Sequence, residues 1–246
     1  GTVPLIDTDG SLIWGPKDVP GGRGGPPTVA DFDGDGIPEV TAANKGAQRP
    51  GPEDFARSTP VSLFKLSGDP LQGSSWREIE LGRYSVPQNA EPVDIDGDGD
   101  LDILVGSRGE NRLLFFENPG DGSLNFREHA IGINGTRAAG FNLEYADLNG
   151  DGRLDIIGAT PGGLSWLEQP PRIDDAWNSF FIGSFSPDSI TGLEVADING
   201  DGHLDIMAGS YSRGSRTGDG DVDKNDSLGR IGWFENPGDA SAEWIR

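Results

Sequence analysis

The chain has 246 residues and a formal net charge of -22, from 41 acidic and 19 basic residues, with no cysteine, 39 glycines and 18 prolines. The acidic excess excludes nucleic acid and anionic membrane surfaces as partners, because phosphate binding needs clustered Lys and Arg. Lack of cysteine excludes disulfides, thiolate catalysis and zinc-thiolate sites, and with no run of 18 apolar residues no membrane insertion is expected.

Turn-forming residues and aromatics are spread along the whole chain, as in an all-β protein. The chain begins GTVPLIDTDG without an initiator Met or a visible signal peptide, and processing or truncation upstream is the expectation. VPLIDTDGSLIW then reads as a hairpin around the turn Asp7-Thr8-Asp9-Gly10. Four acidic segments follow: DFDGDGIPEV from Asp31, DIDGDGDLDI from Asp94, DLNGDGRLDI from Asp147 and DINGDGHLDI from Asp197, at intervals of 63, 53 and 50 residues. A period near 50 residues fits a propeller blade, not a helical hairpin repeat.

Each acidic segment lies between two short apolar runs. The second run ends in a small residue twelve positions past the first Asp (Ala43, Gly106, Ala159, Gly209), expected to face a crowded axis. A third apolar element follows (VSLFKL, RLLFFENPG, GLSWLEQPP, RIGWFENPG) and then a fourth (SWREIELG, NFREHAIG, AWNSFFIG, AEWIR). In the fourth, Trp76, Phe126 and Trp177 each precede a glycine by six positions (Gly82, Gly132, Gly183). Strand, tight loop and three further strands make a four-stranded blade. The expected fold is a single all-β propeller domain over 1–246, with a partial blade at 1–25 and blades at 26–82, 83–132, 133–183 and 184–246, the last incomplete. Four blades and a half fit either an unusual small ring or, the favoured alternative, a fragment of a larger ring of about seven blades.

The spacing within each acidic segment carries metal chemistry. Calcium takes six to eight hard oxygen ligands, and a nine-residue loop with oxygens at positions 1, 3, 5, 7 and 9 can wrap one ion. These are Asp31, Asp33, Asp35, the Ile37 carbonyl and Glu39 in the first loop, and Asp94, Asp96, Asp98, the Asp100 carbonyl and Asp102 in the second. They are Asp147, Asn149, Asp151, the Arg153 carbonyl and Asp155 in the third, and Asp197, Asn199, Asp201, the His203 carbonyl and Asp205 in the fourth. Free variation at position 7 fits a backbone ligand whose side chain is unused. Glycines at positions 4 and 6 permit left-handed turns. Up to four calcium ions are expected, because each unmetallated loop would hold three or four repelling carboxylates. Position 12 is Ala42, Val105, Gly158 or Ala208 where an EF-hand or dockerin loop needs an acid. Magnesium, which keeps waters and a strict octahedron, suits five protein oxygens less well.

The D-x-[DN]-G-D-G-x-x-[DE] loops, the apolar strands after them and the W-[FL]-E-[NQ]-P pattern at Trp166 and Trp233 resemble the FG-GAP/VCBS repeats, which include the calcium-bearing repeats of integrin α-subunit propellers. The resemblance covers Pro26 to Arg246. It implies a calcium-binding propeller in the setting of adhesion domains, lectins, polysaccharide lyases or accessory modules. Pro38 and Glu39 in the first loop, Leu66-Ser67 after its third strand and Gln169 depart from the pattern.

Connections alternate between the two ends of a meander, so the insertions 44–60 and 210–230 and the connectors 83–91, 133–142 and 184–191 lie opposite the acidic loops. Ligand sites favour such loops. Candidate ligand residues there are Arg49, Arg57, Tyr84, Arg137, Tyr211, Arg213 and Arg216, with Lys45, Arg83 and Phe141 nearby, a set suited to a glycan. Residues 218–227, GDGDVDKNDS, are spaced like a fifth metal loop but lack a following apolar strand. His129 and His203 have no companion for general base chemistry, and no catalytic residue is assigned. The expected function is an extracellular, cell-surface or periplasmic module that binds a glycan or an extracellular protein. A lyase-type polysaccharide enzyme and a surface-assembly module are the alternatives. Asn134 and Asn225 head glycosylation triplets.

Overall fold

The computed structural model describes residues 2–6, 12–18, 27–47, 50–138, 140, 142–186, 188–212 and 228–246. The chain divides into two compact units, Gly1–Ile131 and Gly132–Arg246. Strands are the main regular structure of both, and among the described residues none of their sheets closes on itself. Among the described residues no helix is long and apolar enough to cross a membrane.

In the first unit, β1 (Thr2–Ile6) and β2 (Leu12–Asp18) pair antiparallel, as the hairpin reading expects; the turn between them lies outside the described residues. The next sheet runs in sequence order through β3 (Thr28–Ala30), β4 (Glu39–Ala43), β5 (Ser58–Leu66) and β6 (Trp76–Ser85). A second antiparallel meander follows, β7 (Pro87–Val93), β8 (Asp102–Ser107), β9 (Arg112–Glu117) and β10 (Arg127–Ile131). All six residues of β8 are buried, which is why DILVGS is an apolar run without alternation. Val61, Leu63, Ala90, Ile103, Val105, Leu114 and Phe116 form one core between these two sheets.

In the second unit, β12 (Leu143–Ala146), β13 (Asp155–Thr160), β14 (Gly163–Glu168) and β15 (Trp177–Gly183) form the same meander, and β11 (Ile133–Asn134) adds to β15 in parallel. Its last sheet has three strands, β16 (Ser189–Ala196), β17 (Asp205–Ser212) and β18 (Leu228–Phe234), and an isolated bridge from Glu235 to Ile245 stands where a fourth strand would begin. Ile157, Leu164 and Trp166 pack with Ile206, Ala208, Phe234 and Trp244 in one core. The tryptophans have fixed acceptors: the Nε1–H groups of Trp166 and Trp244 both donate to the Ala240 carbonyl, each at 2.9 Å.

The four-stranded unit is thus present, with corrections at its edges. β6 continues past Gly82 to Ser85 and β7 begins at Pro87, so the expected connector 83–91 is one residue, Val86, at φ 50°. The insertion 44–60 contains a short helix, α1 (Pro52–Phe55), with Pro at its start and Glu53 and Asp54 in its first turn. Among the described residues a Cβ added at Gly209 would meet nothing closer than 4.0 Å, and Ala43 is fully buried. At Gly183 the Phe234 ring fills the space of a side chain. That close approach explains the glycine six residues after Trp177.

Candidate metal centres

All four acidic loops lie at the same place in their sheets, between the first and second strands. Their glycines at positions 4 and 6 take φ of 71° and 84°, 77° and 99°, 76° and 86°, and 79° and 91° in chain order. Only glycine adopts these angles without strain. The turns that result aim backbone N–H groups at the loop carboxylates. The carboxylate at position 1 accepts from the position-6 N–H in every loop, from Gly36 at 3.0 Å, Gly99 at 3.1 Å, Gly152 at 2.8 Å and Gly202 at 3.0 Å. Position 5 accepts from the N–H of position 7, at 2.8 Å for Ile37 and 2.9 Å for Asp100, Arg153 and His203. That bond, ahead of one from Asn199, holds the Asp201 carboxyl below the usual range.

Position 9 is the anchor. Glu39, Asp102, Asp155 and Asp205 have no exposed surface. One oxygen of each accepts from the position-2 N–H, at 2.9 Å from Phe32 and 3.1 Å from Ile95, Leu148 and Ile198. The other oxygen of Asp102, Asp155 and Asp205 accepts from the backbone just past the third strand, Asn118 at 2.8 Å, Gln169 at 2.9 Å and Asn236 at 2.8 Å. Two neutral donors do not cancel a buried charge. Burial pushes the Asp102 and Asp155 carboxyls up to about 7 against those hydrogen bonds, with neighbouring loop carboxylates adding to the rise. Burial also raises Asp96.

The donors are all hard oxygens, and Asp94, Asp96 and Asp102 bring one carboxylate oxygen each within 4.8 Å of one another. This set can hold a metal ion. The third and fourth loops have the same backbone with Asn149 or Asn199 at position 3, each accepting from the position-5 N–H at 3.1 Å and 3.0 Å. In the three later loops, buried position-9 acids with no ion-pair partner among the described residues fit a cation.

The first loop differs. Asp31, Asp33 and Glu39 also come within 4.8 Å, but the Lys65 ammonium already lies among the acids. It donates to Asp33, to Asp35 at 2.8 Å and to Glu39 at 3.1 Å. Burial acts to lower the Lys65 pKa, and the three carboxylates outweigh it, holding the amine above its ordinary range. Lys65, with the backbone N–H of Ile37, holds Asp35 below the usual carboxylate value. Position 7 has a role in the third loop too: the Arg153 guanidinium pairs with Asp151 and donates to the Gln169 carbonyl at 3.0 Å. Its side chain is not idle, contrary to the expectation from variation at that position.

Of the seven candidate ligand residues, four are described, and their settings differ. Arg57 is exposed and paired with Asp54 at 3.0 Å. Arg137 and Tyr211 are exposed in the second unit, Tyr211 at 41%. Tyr84 lies in the core of the first unit, 2% exposed, with its hydroxyl donating to Glu128 at 2.9 Å and Arg112 over its ring, so it offers no face for a sugar. Burial, then Glu128, pushes that hydroxyl well above its ordinary range. Arg49, Phe141, Arg213, Arg216 and the acidic stretch 218–227 lie outside the described residues. His129, on a strand, stacks on Phe115 and is bonded to Glu117 at 2.6 Å.

No curated protein matches the chain. Among solved structures, an Agrocybe aegerita lectin, described for specific recognition of non-reducing terminal N-acetylglucosamine, aligns over 94% of this chain and 79% of its own at 14% identity. Its TM-score is 0.33, too low to transfer fold or ligand. The FG-GAP-like repeat model matches residues 94–158 and again 147–208, spanning the second, third and fourth loops and not the first. Residues 94–208 thus carry repeats of the FG-GAP-like type.

Proposed function

We propose that the chain is a calcium-stapled propeller module that binds glycans or protein partners outside the cell. The observation that carries it is the repeated position-9 acid, Asp102, Asp155 and Asp205, fully buried in three loops with no ion-pair partner among the described residues. A divalent cation held by positions 1, 3, 5 and 9 and the position-7 carbonyl would supply the missing charge. Calcium is favoured over magnesium because the loops offer many flexible oxygens. Weak loop sites of this kind fill at extracellular calcium levels, which supports a secreted or surface location. The face-to-face sheets within each unit and the FG-GAP-like repeats support the propeller reading of the whole chain, 1–246. Glycan or protein binding is assigned to the loops at the other strand ends, where Arg57, Arg137 and Tyr211 are exposed.

The test is a thermal melt in chelator, then across a calcium titration with a magnesium control. Each site that binds only the folded state adds about 2.7 kcal/mol at a hundredfold excess over Kd, so calcium should raise Tm by many degrees and magnesium by far less. A Tm indifferent to calcium, in protein whose metal content is zero, would reduce the loops to polar turns.

A further inference from the structure

The four loops share a backbone but not a neighbour. In each of the four repeats, position 10 of the loop pairs with the third strand: Val40 with Phe64, Ile103 with Phe116, Ile156 with Leu167 and Ile206 with Phe234. The residue after that partner stands beside the loop. It is Glu117, Glu168 and Glu235 in three repeats and Lys65 in the first. Glu168 and Glu235 accept from the position-3 amides of Asn149 and Asn199, both at 3.3 Å. Lys65 instead turns its ammonium inward and uses a donor on each of Asp33, Asp35 and Glu39.

We infer that Lys65 is a tethered counter-cation that takes the place of the metal ion in the first loop, so that the four acidic loops bind three divalent cations and not four. The inference rests on the calcium reading of the other three loops. An ammonium bonded to three of the four acidic side chains at ligand positions occupies the ground a divalent ion would need, and the two charges repel within that distance. The lysine side chain is 18% exposed and Glu39 is not exposed at all, so little water screens the pair. Because the amine is part of the chain, its occupancy does not fall with calcium concentration, whereas that of an ion does. One positive charge against four carboxylates is a thinner neutralisation than calcium gives, and Asp33 Oδ1 is buried with no hydrogen-bond partner among the described residues. Arg153 is a different case: its guanidinium meets one loop acid, Asp151, and turns to the Gln169 carbonyl.

Native mass spectrometry in calcium counts the ions on the wild type and on Lys65→Glu, which restores the residue of the other repeats. Three ions on the wild type and four on Lys65→Glu are expected. In chelator, Lys65→Gln should melt several degrees lower than the wild type. Four ions on the wild type would overturn the inference and leave the calcium reading intact; none on either protein would overturn both. Should the variants not fold, reductive methylation of the wild type decides. Lys65, one of four lysines, should resist modification in calcium and in chelator alike, and its exposure by calcium would show that the ion displaces it.

Discussion

In the loop from Asp31 and the loop from Asp94 the position-4 glycines lie at φ 71° and 77°, and the position-9 carboxylate accepts from the position-2 N–H in both. The difference is at the other carboxylate oxygen. Glu39 meets the Lys65 ammonium at 3.1 Å; Asp102 meets the backbone N–H of Asn118 at 2.8 Å. One pair is an ion pair and the other is a buried charge held by neutral donors. Backbone hydrogen bonds and glycine angles build the loop, whereas a single side chain on the next strand sets whether it depends on an external cation. The two properties are separable, and substitutions can divide them.

The sharpest division is a change of sign. In chelator at pH 8, Asp102→Asn removes an uncompensated buried charge. The Asp102 carboxyl stands at about 7 against an ordinary 3.8, and at about 1.4 kcal/mol per unit that is up to about 4 kcal/mol, less about 1 kcal/mol for the N–H bond that the amide cannot accept. Asp102→Asn should therefore stabilise the chelated protein by about 1–3 kcal/mol and destabilise the calcium-loaded one. Glu39→Gln should destabilise in both buffers, because it breaks a pair already made. The pH dependence carries the same sign. A folded pKa above the unfolded one means that the folded chain holds protons which unfolding releases between about 4 and 7. Chelated stability, full below that window, should decline as pH rises through it and level off above, in step with Asp102 and Asp155. Calcium should flatten the decline and Asp102→Asn should remove part of it. Urea midpoints across pH 4–8 measure all of this, and a flat chelated profile would break the comparison.

How far this was legible differs from residue to residue. The loops and their flanking strands could be read because every requirement is local: glycines at fixed offsets, acids at alternate positions, an apolar run on either side. Lys65 could not be read in that way. Its meaning depends on the β4–β5 register, which sets it beside acids about thirty residues earlier. A signal existed in the aligned third strands, where Lys65 stands against three glutamates. Tyr84 was misplaced because Gly82 resembles a strand end, whereas β6 continues through it and carries the ring into the core. Helix α1 was signalled by Pro52, Glu53 and Asp54, a proline followed by acids at a helix start, and was hidden in an insertion read only for its basic residues.

Substitutions that touch only the shared backbone should fail to tell the loops apart. Gly36 and Gly99 have positive φ of 84° and 99°, with open space where a Cβ would lie. Gly36→Ala and Gly99→Ala should thus each cost about 1–2 kcal/mol, from backbone strain alone. Equal drops in Tm are expected in chelator, and a much larger cost at Gly99 would mean that the second loop has little stability of its own.

The smallest effect lies between the two extremes, in the third loop. Arg153 places a cation on Asp151, but its side chain is 33% exposed and pairs with only one loop acid, so solvent screens most of the interaction. Its main-chain N–H donates to Asp151 at 2.9 Å whatever the side chain is, so Arg153→Gln keeps the turn. Losing a partly exposed positive charge beside a cation site should raise that loop's calcium affinity by about twofold to fivefold, the equivalent of about 0.4–1 kcal/mol. High salt should erase the gain. Competition titration against a chelating dye resolves a change of that size. Weaker binding in Arg153→Gln would show that the guanidinium helps to hold the loop in shape, as Lys65 does in the first, and the third loop would then belong with the first and not with the second.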